Sequence, residues 1–187
     1  MAAAYGKESG IREKIMELKD YEEVVSVCDI QEKMLRAEHF CHKDMLSLGN
    51  FVVSEAERQG VSVAVSVTKP GGAIVYQHLM EGTGAGNQNW IRRKTNVCAE
   101  TEHCTLRSWA KEVLTGETLY DWGMNDDDYV FSGGAFPIRL TSGEFAGILS
   151  ISGFAHFKDH QFGVDCLAKW LGTEGVPAVP FHDVWRE

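Results

Sequence analysis

Residues 129–171 read YVFSGGAFPIRLTSGEFAGILSISGFAHFKDHQFGVDCLAKWL, and this stretch decides the fold. Two β-favouring runs, Phe136–Leu140 and Phe145–Ile151, flank the loop Thr141-Ser142-Gly143-Glu144. Apolar runs separated by a short polar loop with a glycine specify a β-hairpin. Gly133-Gly134 leads into the first strand, and Ser152-Gly153 leads out of the second toward Asp159-His160 and a helical pattern. Glycine lets a backbone approach a ligand or partner closely, and a helix start carries N–H groups that favour anions. The stretch predicts a sheet with a rim suited to a small molecule or an interface. It names no reaction.

A second hairpin lies upstream. Val61–Thr68 alternates valine with small residues, the period of a strand with its valines on one face and its small polar residues on the other. Lys69-Pro70-Gly71-Gly72 is a turn, and Ala73–Leu79 returns as the partner strand. Asp44 is expected to open a helix with Met45, Leu48, Val52 and Ala56 on one stripe and Gly60 as its stop. Tyr21–Leu35, about Trp90 to His103, and Thr105–Val113 also read as helical, and a short helix is expected over Ile11–Lys19. Asn125–Asp128 reads as an exposed turn. Hairpins interleaved with helices predict an α+β layered domain. The expected division is an N-terminal extension over 1–19, one domain over 20–171, and an irregular tail over 172–187 available to dock on a neighbour.

Composition sets bounds. A chain of 187 residues, 44% hydrophobic and 24% charged, is ordinary for one globular domain. No apolar run approaches the ~20 residues that span a bilayer, and no secretory signal is visible at Met1–Glu8. A net charge of -9 argues against nucleic acid as a partner. The five cysteines, 28, 41, 98, 104 and 166, are odd in number and form no CxxC, so neither a disulfide framework nor the usual zinc spacing is expected. A reducing cytoplasm suits them.

Gly82-Thr83-Gly84-Ala85-Gly86-Asn87 imitates a dinucleotide loop but ends on asparagine and lacks a βαβ setting, so a plain loop is the better reading. Trp90-Ile91-Arg92-Arg93-Lys94 places three cations and an indole at the expected helix start, against the dipole. Either an anion or a carboxylate partner compensates them, or water does at little cost. The histidines show no metal spacing, and Gly153-Phe154-Ala155 argues against one helix carrying both His156 and His160. Asp159-His160 reads instead as an N-cap with a first-turn histidine. A dyad of Cys104 with a distant histidine is selected by nothing in the sequence.

Taken in order, Asn89–Lys94, His103-Cys104-Thr105, Tyr129, Ser132–Ile138, Ile151-Ser152-Gly153 and Asp159-His160 resemble the haem-degrading-domain family of HbpS- and GlcG-like proteins. The likeness runs from about Tyr21 to Leu171. It implies a profilin-like fold, an antiparallel sheet flanked by helices, in a cytoplasmic homo-oligomer without membrane insertion. It also implies a small anionic ligand, haem or another tetrapyrrole. Through a fungal relative it connects to the insertion of tail-anchored membrane proteins, which keeps a non-enzymatic interaction protein as the alternative. Family members usually carry a histidine directly before the double glycine, where this chain has Ser132. Serine hydrogen-bonds a polar ligand but is a poor iron ligand beside imidazole, which leaves His103 and His160 as candidate iron ligands. The expected ligand-binding set is Trp90, Arg92, Arg93, Lys94, His103, Ser132, Gly133, Gly134, Asp159 and His160, with no metal ligand set and no catalytic residue assigned.

Overall fold

The structure, a computed structural model, describes residues 16–180. Its elements are α1 (Leu18–Met34), β1 (Arg36–Ala37), α2 (His42–Gln59), β2 (Ala64–Thr68), β3 (Ile74–Leu79), α3 (Ala85–Thr101), α4 (Thr105–Thr115), β4 (Ala135–Leu140), β5 (Phe145–Ser152) and α5 (His156–Leu171). The strands form one sheet in the order β1-β4-β5-β2-β3. Both expected hairpins are present, and β5 pairs antiparallel with β2, so that Ala64 lies opposite Ser152. The sheet is mixed rather than wholly antiparallel, because β1 pairs parallel with β4. Two residues carry no periodicity, so β1 has no sequence signature.

Helices cover both faces, as an α+β layered domain requires. Val63, Val65 and Val67 meet Phe136, Ile138, Leu149 and Ile151 in the main core, with Met45, Leu48 and Val52 of α2 and Val164 and Leu167 of α5. The opposite face lies under α3 and is also buried, so β2 has no solvent side. There Ser66, Thr68, Ser150 and Ser152 are all at most 5% exposed. Thr95 of α3 meets Ser150 in a hydroxyl–hydroxyl hydrogen bond of 2.7 Å. Buried hydroxyls need such partners, since each one left unpaired costs about 1–3 kcal/mol. On β2 itself, Ser66 Oγ donates to the Tyr76 carbonyl at 3.2 Å, whereas Thr68 Oγ1 has no hydrogen-bond partner among the described residues. The small polar residues of β2 thus belong to a buried, largely hydrogen-bonded layer under α3. The α1–α4 pair closes the core against β4 and α5.

Helix boundaries differ in instructive places. Cys41, not Asp44, is the N-cap of α2; Asp44 is its third residue and accepts the Cys41 backbone N–H at 2.7 Å. The α3 helix begins at Ala85, five residues before the cation cluster, inside the stretch expected to be a loop. The α5 helix begins at His156, so His156 and His160 do share one continuous helix and Asp159 is not its cap. Residues 11–15 of the expected helix over Ile11–Lys19 lie outside the described residues; Leu18 and Lys19 open α1. Residues 172–180 of the tail are irregular and dock on their own chain. Gln31 donates to the Pro177 carbonyl at 2.8 Å, and the Val179 N–H donates to Gln161 at 2.9 Å.

Candidate functional site

Asn87, Trp90 and Lys94 are spaced by three and four residues along α3, which brings them to one helix face. That face looks across the end of β5 toward the start of α5. Between them opens a cleft of about 360 Å³, lined by Asn87, Trp90, Lys94, Ser132, His156 and Asp159, with Ser152 and the Gly153–Ala155 loop completing the wall.

The floor of the cleft is an ion pair. Lys94 Nζ donates to Asp159 Oδ2 at 2.7 Å and to the Ile151 carbonyl at 3.3 Å. The other carboxylate oxygen, Asp159 Oδ1, accepts the Gly153 and Phe154 N–H groups, both at 2.9 Å. Both side chains are 2–3% exposed. Burial pushes the Asp159 carboxyl up, against the pull of Lys94 and the two amides. Breaking such a pair strands a buried charge, which is the costly outcome.

The double glycine is explained by this pair. A Cβ on Gly134, whose φ is +131°, would stand 2.6 Å from the Ile151 carbonyl oxygen and 2.7 Å from Lys94 Nζ. A Cβ on Gly133 would stand 2.4 Å from the His156 carbonyl oxygen. Both glycines make room for α5 and the ion pair, and Ser132 is the residue of that segment that lines the cleft.

His156 stands beside the pair. Burial first, then the positive charge of Lys94, pushes its imidazole down to about 4. The ring is therefore neutral at physiological pH. Its edge packs on Trp109, with centroids 4.7 Å apart. Trp90, 43% exposed, offers an indole face to the cleft mouth, with the Arg93 guanidinium 5.4 Å from the ring centre. A neutral imidazole, an open indole and a buried ammonium can together hold a polar or anionic planar molecule.

Of the expected residues, Trp90, Lys94, Ser132 and Asp159 come together here, with Gly133 and Gly134 beneath them. Arg92 and Arg93 do not line this cleft. Arg92 pairs with Asp128 at 2.7 Å and donates to the Asp127 carbonyl at 2.6 Å, and Arg93 donates to the Asp126 carbonyl at 2.6 Å. They fasten the 125–128 turn onto α3 within the same chain. Because α3 starts at Ala85, they sit well inside the helix and do not oppose its N-terminal dipole. His103 lies elsewhere, its Nδ1 2.8 Å from Glu32 Oε2. His160 is buried, with its Nε2 2.8 Å from Gln31 Oε1. His156, Asn87 and Ser152 are the cleft residues that sequence reasoning left out. The i, i+4 spacing of His156 and His160 was the available signal for the first of them.

Residues 40–168 match the family described as haem degrading protein HbpS-like. A UPF0303 protein of Yersinia pseudotuberculosis is 32% identical over 152 residues, covering 79% of this chain and 86% of the relative. A UPF0303 protein of Yersinia enterocolitica is 30% identical over 152 residues, covering 79% and 88%. Among solved structures, the Ybr137w protein superposes with a TM-score of 0.71 at 21% identity, over 86% of this chain and 98% of that one. The haem complex of PduOC superposes with a TM-score of 0.57 at 18% identity, over 74% and 97%. At these identities the solved structures establish a shared fold.

Two outcomes are expected at this site. Lys94→Met should lower stability in urea denaturation by about 3–5 kcal/mol, and adding Asp159→Leu should recover part of the loss; a single-variant cost below about 1 kcal/mol would refute the pair as a structural anchor. His156 titrates near 6.5 when unfolded and about 4 when folded, so between those values only the unfolded chain takes up the proton. Stability is then lost as the pH falls through that window. His156→Gln should flatten the stability profile there, and a profile parallel to the wild type would show that His156 is not the group responsible.

Proposed function

The chain belongs to the HbpS-like family, and on that premise we propose that the cleft over Lys94 and Asp159 binds a small anionic ligand, haem or another tetrapyrrole. The observation that carries this reading is the neutral His156 imidazole facing the same cleft as the Trp90 indole and the Lys94 ammonium. The family description and the haem complex of the related PduOC fold point the same way.

The donor set fits the group. His156 would serve as the iron ligand, the role that Ser132 is ill suited to and that His103 and His160 are not placed to fill. Trp90 would cover a face of the ring. Lys94 has three N–H donors, two of them used by Asp159 and Ile151, which leaves one for a carboxylate. Bound haem supplies a redox-active iron. The chain's own part is to hold it, keep the imidazole unprotonated, and limit water on one side. We place the protein in the cytoplasm, where its five free cysteines suit a reducing medium. No helix among the described residues is long and apolar enough to cross a membrane.

A second reading, an oligomeric interaction protein without chemistry, draws on β3. This strand ends the sheet, and its Ile74 is 59% exposed. An uncovered strand edge with an apolar side chain suits pairing with a second copy. The two readings are compatible, since β3 lies away from the cleft.

Titration with hemin should give a saturable Soret shift, weakened about tenfold or more in His156→Ala and unchanged in the Arg92→Ala, Arg93→Ala double variant. Absence of saturation in the wild type removes haem as the ligand; sensitivity to the double arginine variant moves the site. For the assembly, light scattering should report a mass above that of one chain, reduced in Ile74→Lys. A wild-type monomer would dismiss the oligomer, and an unaltered mass in the variant would dismiss β3 as its contact.

A further inference from the structure

Away from the cleft, three residues far apart in sequence meet inside the core. Cys28 lies on α1, Cys104 is the N-cap of α4, and His160 lies on α5. They are 0%, 0% and 2% exposed. One potential ligand atom from each lies within 4.8 Å of the other two, and Cys28 Sγ is 3.9 Å from His160 Nε2. Beside them is a fourth donor, the fully buried Gln31, whose Oε1 is 2.8 Å from His160 Nε2. Its amide is held in that orientation because its own nitrogen donates to the Pro177 carbonyl.

We propose that Cys28, Cys104 and His160, completed by Gln31, form a closed site for a thiophilic cation of the zinc class. Such a centre takes four ligands in a tetrahedron, two sulfurs at about 2.3 Å and nitrogen or oxygen at about 2.0–2.2 Å from the ion. Neighbouring ligand atoms then stand roughly 3.4–3.8 Å apart, so the cysteine–histidine separations need to contract by at most about 1.3 Å, and the 2.8 Å contact between Gln31 and His160 opens by roughly 0.6 Å. Packing alone accounts for the two cysteines, which behave as small hydrophobes. It does not account for an imidazole beside them whose Nδ1 is buried and has no hydrogen-bond partner among the described residues.

Charge and protons balance. Two thiols lose their protons to become thiolates, and their two negative charges cancel those of a divalent ion. Gln31 Oε1 can only accept, so His160 carries its proton on Nε2 beforehand. On coordination that proton passes to Nδ1, and the Nε2 lone pair takes the metal. The linear spacing could not reveal this set, because it is assembled by three helices. Each ligand is locked by an element of the main core, so the ion would tie α1 to α4 and α5. Since the site is closed, loading is expected as the chain folds.

The competing sites on the same chain are distinguishable. Asp29, Glu32 and His103 also lie within 4.8 Å of one another, but they offer no sulfur. Cys41 is exposed near His39 and His42 and offers one. The experiment is to unfold the reduced full-length chain, refold it with one equivalent of Co²⁺ as a spectroscopic substitute for Zn²⁺, and record the absorption. A thiolate-to-cobalt charge-transfer band of two-thiolate intensity with tetrahedral d–d bands is expected. It should persist in Cys41→Ser and be lost in Cys28→Ala and Cys104→Ala, with folding of each variant checked by circular dichroism. If the alanine variants do not fold, the triple variant Cys41→Ser, Cys98→Ser, Cys166→Ser decides, because Cys28 and Cys104 are then the only thiolates left to give the band. Cobalt bound without a charge-transfer band, a band lost with Cys41, or a band that survives Cys28→Ala would overturn the site.

Discussion

The buried contact between Lys94 and Asp159 organises this molecule. It joins α3 on one face of the sheet to α5 on the other, passing the end of β5 where no strand intervenes. A lysine and an aspartate held at 2–3% exposure are expensive to desolvate. The arrangement survives because every oxygen of the carboxylate is used, one by the ammonium and the other by two backbone N–H groups. Several other features follow. The Gly153–Phe154 turn is fixed by the carboxylate, Gly134 has no room for a side chain, and His156 is held neutral beside a positive charge.

The two sheet faces divide the labour. The face toward α2 and α5 is a conventional apolar core, and the face toward α3 is laced with hydroxyls. Those hydroxyls run along β5 as Ser150 and Ser152 and end at the cleft, where Asn87 donates to Ser152 Oγ at 3.3 Å. The cleft is thus the open end of a polar seam that elsewhere is closed by helix packing. This makes it polar and nearly neutral overall, with one paired cation, rather than a basic trap for any anion.

Much of this architecture was legible in the chain. Both hairpins, the stripe of Met45, Leu48, Val52 and Ala56, and the stop at Gly60 follow from periodicity and turn chemistry that no tertiary contact overrides. The departures share a cause. The α3 and α5 helices begin in segments whose residues, Gly86-Asn87 between further glycines and His156 after Gly153, are poor local helix signals, and packing on the sheet selects those starts. Placing the two starts too late set Arg92 and Arg93 at a helix opening, whereas in the fold they reach the 125–128 turn, and it separated His156 from its helix. The remaining site residues, Trp90, Lys94, Ser132 and Asp159, were visible as types. Their convergence depends on β5 ending where α3 and α5 can meet, which no local pattern encodes.

The register of the sheet also governs how the chain comes off the ribosome. Strand β2 leaves early, with Val65 and Val67 facing one way and Ser66 the other, yet its central neighbour β5 is the last strand made. Until Ile148–Ser152 emerges, the β2–β3 hairpin presents a bare inner edge and an uncovered valine face to everything around it. Such an intermediate is prone to wrong pairing, and closing contacts between distant segments is slow. Synthesis rate and chaperone supply should therefore weigh heavily on the yield of this protein, beyond what the stability of the finished fold would suggest.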